Sequence, residues 1–217
     1  MADLCFLLDV DNTLLDNDSV ANDLREHLTT MLGKERGARY WEIFEIRRTE
    51  LGYADYLGAL QRYREEHPDD TAVIETSLFL IGYPFATRLY PRVLDLIAKL
   101  KSQGTVAILT DGDAVFQPWK ISSSGLWNAV DGQVLVYIHK ERMLSDVARR
   151  CPAKRYVLVD DKLRILDAVK SVWGERVTTV FPRQGHYALD PKYSARYPAA
   201  DISVDRIGDL IDVSLPR

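Results

Sequence analysis

Residues 4–15 read Leu-Cys-Phe-Leu-Leu-Asp-Val-Asp-Asn-Thr-Leu-Leu, an apolar run that ends abruptly in two acids, Asp9 and Asp11. Residues two apart on an extended backbone point the same way, so both carboxylates begin on one face of the predicted strand. The polar pair Asn12-Thr13 then favours a loop, which keeps Asp9 at the sheet edge and lifts Asp11 out of it. Such a pair can supply a nucleophile and a proton carrier, although Asp and Asn also commonly do no more than open a turn.

Chain length and net charge limit the kinds of molecule that this protein is expected to bind. The chain has 217 residues, enough for one large domain or a medium domain with an insertion, and its formal net charge is -4. Without a basic tract, the sequence favours a small-molecule partner over nucleic acid or an anionic membrane. The apolar run before Asp9 is too short for a signal peptide or a membrane span. Cys5 and Cys151 form no Cys-x-x-Cys pair, and two lone thiols suit the cytoplasmic location that we expect.

From Pro91 onward, apolar strands alternate with amphipathic helices. Continuous apolar strands joined by helical crossovers predict an α/β fold with a doubly wound parallel sheet that is covered on both faces. After the first strand, the predicted strands span residues 106–110, 133–138, 155–160, 177–181 and 201–204. The predicted helices span residues 93–101, 114–124, 141–150 and 163–173.

A different pattern occupies residues 16–86, where apolar residues recur at helical spacing. Gly33 and the segment His67-Pro68 are expected breaks within four helices. We therefore predict a core domain of residues 1–15 and 87–217, interrupted by a helical domain of residues 16–86. Within the insertion, the charged side chains of the segment 47–50 are candidates to face a cleft, but a solvated helix face is the favoured interpretation. Those side chains are Arg47, Arg48 and Glu50.

Polar residues recur where the predicted parallel strands end. Asp9, Thr110 and the pair Asp160-Asp161 each follow an apolar strand, and Lys140 follows another. In doubly wound sheets, ligands bind outside the carboxyl ends of the strands. The sequence therefore predicts that these side chains share one site.

These segments resemble, in the same order, the four motifs of the haloacid dehalogenase-like (HAD) superfamily of phosphohydrolases, over Leu4 to about Phe181. The resemblance implies that Asp9 is a nucleophile that becomes an aspartyl-phosphate, and that Asp11 is the general acid and base. It also implies that the helical insertion is a C1-type cap. Thr110-Asp111-Gly112 is similar to the second motif, where a hydroxyl and backbone N–H groups bind the phosphoryl oxygens.

Lys140 is similar to the third motif, a lysine that neutralises the nucleophile and the phosphate. The match is looser here, since Glu141 stands where many relatives have proline, and Lys120 and Lys162 remain alternatives. Asp160-Asp161 resembles the fourth motif in its double-Asp form, in which the acids bind a divalent cation.

Charge supports a metal at this site. Four carboxylates in one cleft repel one another by roughly 4 kcal/mol per close pair at an effective dielectric constant of about 20, more than one lysine offsets. Mg²⁺ fits because it accepts few protein carboxylates and bridges to phosphate. The resemblance implies that its ligands are Asp9, the backbone carbonyl of Asp11 and one of Asp160 and Asp161, of which we favour Asp161 as the direct ligand.

The function that we expect is Mg²⁺-dependent hydrolysis of a small-molecule phosphate monoester. A 2-haloacid dehalogenase would also use an Asp nucleophile but would need neither Asp11 nor a metal, and a phosphomutase would keep all these residues. Outside enzymology, the alternatives are a non-catalytic phosphoacceptor module and a HAD-like scaffold that only binds a partner. The sequence leaves the substrate and the oligomeric state open.

Overall fold

The computed structural model describes residues 2–215 and contains one six-stranded sheet in which every neighbouring pair is parallel. The strand order is β3-β2-β1-β4-β5-β6. This arrangement confirms the predicted α/β fold. The strands are β1 Ala2–Leu8, β2 Thr105–Asp111, β3 Val134–Tyr137, β4 Ala153–Val159, β5 Val177–Pro182 and β6 Ile202–Val204.

Helices fill the connections between the strands. Between β1 and β2 lie α1 Asn17–Leu51, α2 Tyr56–Glu66 and α3 Ala72–Ile81, and the helix α4 Val93–Lys101 leads into β2. The later helices are α5 Phe116–Ser123, α6 Leu126–Ala129, α7 Leu144–Arg150, α8 Leu163–Trp173, α9 Gly185–Leu189 and α10 Pro191–Ser194. Short 3-10 helices span Phe85–Arg88, Lys140–Arg142, Gly174–Arg176 and Ile207–Asp212.

The central strand β1 is buried on both faces, which explains its unbroken apolar sequence. Alternate side chains enter different core layers: Phe6 and Leu8 pack in one cluster, and Cys5 and Leu7 in the other. Leu8 pairs with residue 108 of β2 and residue 159 of β4. Because these parallel strands end side by side, the residues that follow them emerge at one edge of the sheet.

The insertion is helical, as the sequence predicts. The first and second predicted helices are the two halves of α1, which breaks at Gly33, where φ is 79° and ψ is 169°. Asp16 caps the start of α1 by accepting a hydrogen bond of 3.0 Å from the backbone N–H of Ser19. Whether residues 16–86 act as a separate domain stays a prediction. Met1, Pro216 and Arg217, which belong to the predicted core, lie outside the described residues.

Between β5 and β6 lies a segment, residues 183–200, for which the sequence pattern predicts no element. It forms α9 and α10, which contact α1 and α8 respectively. Both cysteines, Cys5 and Cys151, are buried free thiols. Within residues 2–215, no helix combines the length and the apolar character needed to cross a membrane.

Candidate active site

A cavity of about 390 Å³ opens at the carboxyl edge of the sheet, between the strand ends and the inserted helices. This location is where a doubly wound sheet binds its ligands. The side chains contributed by the sheet and its loops include Asp9, Asp11, Thr110, Asp111 and Lys162. The insertion contributes Arg25, Trp41, Phe44, Arg48 and Tyr53 among others, and α9 contributes His186 and Tyr187.

Asp9 directly follows β1 and is buried. Its Oδ1 lies 2.5 Å from Lys140 Nζ, and its Oδ2 accepts a hydrogen bond of 3.1 Å from the hydroxyl of Thr13. The same hydroxyl accepts a bond of 3.1 Å from the backbone N–H of Asp161. Burial opposes ionisation of Asp9, but the ammonium groups of Lys140 and Lys162 outweigh it and hold its pKa below the ordinary value. The ionised carboxylate is therefore the favoured form of Asp9.

Asp11 has a separate set of partners, although it is only two residues from Asp9. Its Oδ1 lies 2.6 Å from Lys120 Nζ, and its Oδ2 accepts a hydrogen bond of 3.3 Å from Gln117 Nε2. Its side chain is 20% exposed, whereas Lys120 is buried. The turn after β1 thus directs the two carboxylates to different neighbours, one in the buried cluster and one facing the cavity.

Lys140 is buried between two acids. Its Nζ contacts Asp9 and also lies 2.6 Å from Asp160 Oδ2, and its backbone N–H donates to Asp111 Oδ1 at 2.7 Å. Burial alone would lower the pKa of Lys140, but the carboxylates of Asp160 and Asp9 raise it above the ordinary value. Of the three candidate lysines Lys120, Lys140 and Lys162, Lys140 is the one that forms an ion pair with Asp9. Its neighbour Glu141 pairs with Arg164 at 2.9 Å.

Lys162 lines the cavity with its ammonium group 4.7 Å from the centre of the Tyr187 ring. Burial disfavours its charge, but Asp161 and Asp9 raise its pKa above the ordinary value, so the charge is retained. The lysine alternatives thus occupy different places: Lys120 beside Asp11, and Lys162 at the cavity wall.

A buried acidic cluster lies behind Asp9. Asp9, Asp160 and Asp161 each offer one oxygen, and the three oxygens lie within 4.8 Å of one another. Both oxygens of Asp161 are buried without a hydrogen-bond partner among the described residues. Burial raises the pKa of Asp161 well above the ordinary value, and burial with the charge of Asp9 raises that of Asp160 to about 6, although Lys140 opposes the latter shift.

The donor set of this cluster fits a hard dication. An unpaired buried carboxylate is costly, and three carboxylate oxygens at this spacing match the oxygen ligands that Mg²⁺ takes. Asp160 is already engaged, since its Oδ1 accepts from the backbone N–H of Lys162 at 2.9 Å and its Oδ2 faces Lys140. Asp161 therefore has the freer oxygens, and its assignment as the direct ligand stays a prediction.

The predicted phosphate-binding residues divide into two groups. Thr110 and Asp111 line the cavity, and the Thr110 hydroxyl accepts a hydrogen bond of 3.1 Å from Gln117 Nε2. The backbone N–H of Gly112 instead donates to the carbonyl of Tyr137 at 2.9 Å, and Gly112 lines a different cavity. The structure thus brings two of the three residues to the site.

Sequence reasoning missed His186, which reaches the cavity from α9. Its Nδ1 lies 2.6 Å from Asp18 Oδ1, and its backbone N–H donates to Asp18 Oδ2 at 2.8 Å. Asn12 adds a hydrogen bond of 2.9 Å to Asp18 Oδ1. Gly185 has φ +74° and lies so close that an added Cβ would be 2.5 Å from the Cβ of Asn12. In the sequence, a glycine directly before a histidine was the signal that could have pointed to this position.

The charged side chains of residues 47–50 in α1 lie in different surroundings. Arg48 lines the cavity and pairs with Glu45 at 2.7 Å. Arg47 pairs with Asp55 at 2.5 Å, and Glu50 is exposed. The favoured interpretation of a solvated face therefore does not describe Arg48.

Known proteins resemble this chain in sequence and in fold. A family model described as haloacid dehalogenase-like hydrolase matches residues 4–172. The crystal structure of a haloacid dehalogenase-like hydrolase from Burkholderia xenovorans LB400 is similar at 60% identity and a TM-score of 0.93, over 97% of this chain and 95% of that one. A comparison with curated proteins found no match.

More distant structures share the fold alone. The L-2-haloacid dehalogenase from Xanthobacter autotrophicus aligns at 18% identity and a TM-score of 0.63, over 97% of each chain. A magnesium-bound HAD hydrolase from Bacillus subtilis aligns at 16% identity and a TM-score of 0.64, also over 97% of each chain.

Proposed function

This chain belongs to the haloacid dehalogenase-like hydrolase family, and on that premise we propose that it is a Mg²⁺-dependent phosphohydrolase that cleaves a small-molecule phosphate monoester. The observation that carries the proposal is the buried carboxylate of Asp161, unpartnered among the described residues, beside Asp9 and Asp160. A dehalogenase needs no metal and would gain nothing from this costly cluster. A phosphohydrolase uses it, because the cluster holds a cation against a substrate that is itself anionic.

Asp9, Asp160 and Asp161 would hold the cation, with the backbone carbonyl of Asp11 as a further ligand. When bound, Mg²⁺ supplies positive charge that offsets the carboxylates and the substrate phosphate. We further propose that Lys162 and the hydroxyl of Thr110, both on the cavity wall, bind phosphoryl oxygens.

The first half of the reaction belongs to Asp9. Its carboxylate oxygen attacks phosphorus in line, the bond to the leaving oxygen breaks, and an aspartyl-phosphate forms. Lys140 keeps Asp9 ionised and oriented for this attack through the contact of 2.5 Å. Asp11, in its protonated form, gives its proton to the departing alkoxide.

In the second half, water attacks the phosphorus of the aspartyl-phosphate. Asp11, now a carboxylate, accepts a proton from that water, while Asp9 departs as a carboxylate and inorganic phosphate is released. Lys120 Nζ lies 2.6 Å from Asp11 Oδ1 and would hold this side chain in position for the step. The two acids can hold different tasks because their partners differ.

The rest of the cavity would accommodate the leaving group. Trp41, Phe44 and Tyr53 supply an apolar wall, and Arg48 adds a charge. We propose that residues 16–86 act as a cap that closes over the site and excludes water, with residues 1–15 and 87–217 as the core.

The test is hydrolysis of a panel of phosphorylated metabolites and of an aryl phosphate, with Mg²⁺ or with chelator. We expect phosphate release that requires the metal and is abolished in Asp9→Asn. Asp3→Asn is the matched control, because Asp3 is an exposed acid on the same strand whose partner is Lys154. Turnover that persists with chelator or in Asp9→Asn would refute the proposal. Halide release from a 2-haloacid without phosphatase activity would favour the dehalogenase instead.

A further inference from the structure

A second, smaller pocket of about 160 Å³ adjoins the catalytic cavity. Lys162 and Tyr187 line both cavities, so these two residues lie where the cavities adjoin. The remaining walls come from the start of α8 and from the segment that contains α10. None of the four sequence motifs accounts for this segment.

The pocket is strongly basic. Four cationic side chains line it, and among the described residues no aspartate or glutamate does. This is unusual in a chain with 32 acidic and 28 basic residues. The cationic side chains are Lys162, Arg164, Lys192 and Arg196.

Two of these charges are not compensated by the protein. Arg164 pairs with Glu141 at 2.9 Å, and the charge of Lys162 is balanced by the nearby Asp161 and Asp9. Within residues 2–215, neither Lys192 nor Arg196 forms an ion pair with a carboxylate. The pocket therefore carries positive charge that an anion can neutralise.

Aromatic rings order the basic side chains. The rings of Tyr187 and Tyr193 meet with centroids 5.0 Å apart at 66°, and Lys192 Nζ lies 5.3 Å from the centre of the Tyr193 ring. Tyr187 also contacts His186 at 4.0 Å, and His186 is held by Asp18. The place where the two pockets adjoin is thus anchored to the catalytic cavity, and a ligand in one pocket lies next to the other.

Size and charge together define the ligand. Pockets for whole small molecules usually exceed about 300 Å³, so a pocket of about 160 Å³ suits one compact group. An arginine fork and an ammonium match the oxygens of a phosphate or a carboxylate. We infer that Lys192 and Arg196 bind a second oxyanion of the substrate, carried on its leaving group. This inference rests on the proposed function and narrows it to phosphate esters with an anionic tail.

The kinetic test compares three probes of equal chain length: butyl phosphate, 1,4-butanediol bisphosphate and 4-(phosphonooxy)butanoate. In the double variant Lys192→Gln/Arg196→Gln, we expect KM for the two probes with an anionic tail to rise at least tenfold. For butyl phosphate, KM should stay within twofold. The control Lys154→Gln/Arg62→Gln removes two exposed charges elsewhere and should leave KM for all three probes unchanged. An equal rise in KM for all three probes, or no rise in KM for any of them, would overturn the inference.

A binding measurement separates this inference from the proposed function. Inorganic phosphate is titrated calorimetrically with chelator present, so that the acidic cluster, without a cation, disfavours an anion in the catalytic cavity. We expect the affinity to fall at least tenfold in Lys192→Gln/Arg196→Gln and to be kept in the control variant. Binding that depends on this pair, without hydrolysis of any probe, would refute the proposed function and identify free phosphate as the ligand. If the probes are hydrolysed but phosphate binding is unchanged in Lys192→Gln/Arg196→Gln, the proposed function stands and the inferred oxyanion site is refuted.

Discussion

Replacement of Lys140 by methionine tests the electrostatic design of the site. Lys140 Nζ lies 2.5 Å from Asp9 and 2.6 Å from Asp160, and all three side chains are at most 4% exposed. Each contact is worth about 6–7 kcal/mol at an effective dielectric constant of about 20, but desolvation of the charges cancels much of this. Removal of one partner from such a buried cluster typically costs about 3–5 kcal/mol. We expect Lys140→Met to lower the free energy of unfolding by that amount with chelator at pH 7.

The pH dependence of this loss has a defined sign. The folded pKa of Lys140 lies above its unfolded value, so its contribution is fully present at neutral pH and is lost only in strong alkali. Without Lys140, protonation of the acids is the remaining way to relieve repulsion, and the pKa of Asp160 is already raised to about 6. The loss in Lys140→Met should therefore shrink from pH 7 to pH 5.

Urea unfolding of wild type, Lys140→Met and Lys154→Met is the assay, with chelator and with Mg²⁺. Lys154 is an exposed lysine whose partner is Asp3, so its replacement should change little. Mg²⁺ should stabilise Lys140→Met more than wild type, because the ion replaces the missing charge. If Lys140→Met is as stable as wild type with chelator, or is not helped by Mg²⁺, the reasoning is wrong.

Two further predictions concern other carboxylates. Asp161→Asn should raise the unfolding free energy with chelator at pH 7 by about 1 kcal/mol, or about 2–4 °C in Tm. Burial raises the folded pKa of Asp161, so above the unfolded pKa its ionisation stabilises the unfolded chain, and asparagine has no such ionisation. Mg²⁺ should no longer raise Tm in this variant. Asp201→Asn should lower stability by about 1 kcal/mol or less at pH 7, since the side chain is 38% exposed and water screens its partners. Burial opposes ionisation of Asp201, but its threonine and lysine partners hold its pKa below the unfolded value. That stabilisation is present above the unfolded pKa and lost as pH falls through the folded one, so denaturant titrations of the two proteins should converge once the pH lies below the lowered, folded pKa of Asp201.

Local sequence predicts the elements well where periodicity dominates. The helix α8 begins and ends at the predicted residues, 163 and 173. The predicted helix from residue 114 begins instead at Phe116, because Asp113 Oδ1 accepts from the backbone N–H groups of residues 115 and 116. The predicted helix from residue 141 begins at Leu144, after a 3-10 turn that is anchored by Asp111 through the backbone of Lys140. In both cases an aspartate accepts hydrogen bonds from the backbone just before the helix, and hydrophobic periodicity does not report such bonds.

By itself, the sequence determined the parallel α/β core and the carboxylates at its edge. An apolar strand that stops at an acid is a local pattern, and parallel strands bring their carboxyl ends to one edge whichever partners they choose. The pattern therefore predicted that Asp9, Thr110 and Asp161 would meet.

Only the tertiary structure decided which partner each charge takes. Three lysines were candidates for one role, and packing placed Lys140 at Asp9, Lys120 at Asp11 and Lys162 at the cavity wall. The contact between Asp18 and His186 joins residues 168 positions apart. Such pairings depend on strand order and on the few ångströms that decide a hydrogen bond, and hydrophobic periodicity carries no information about either.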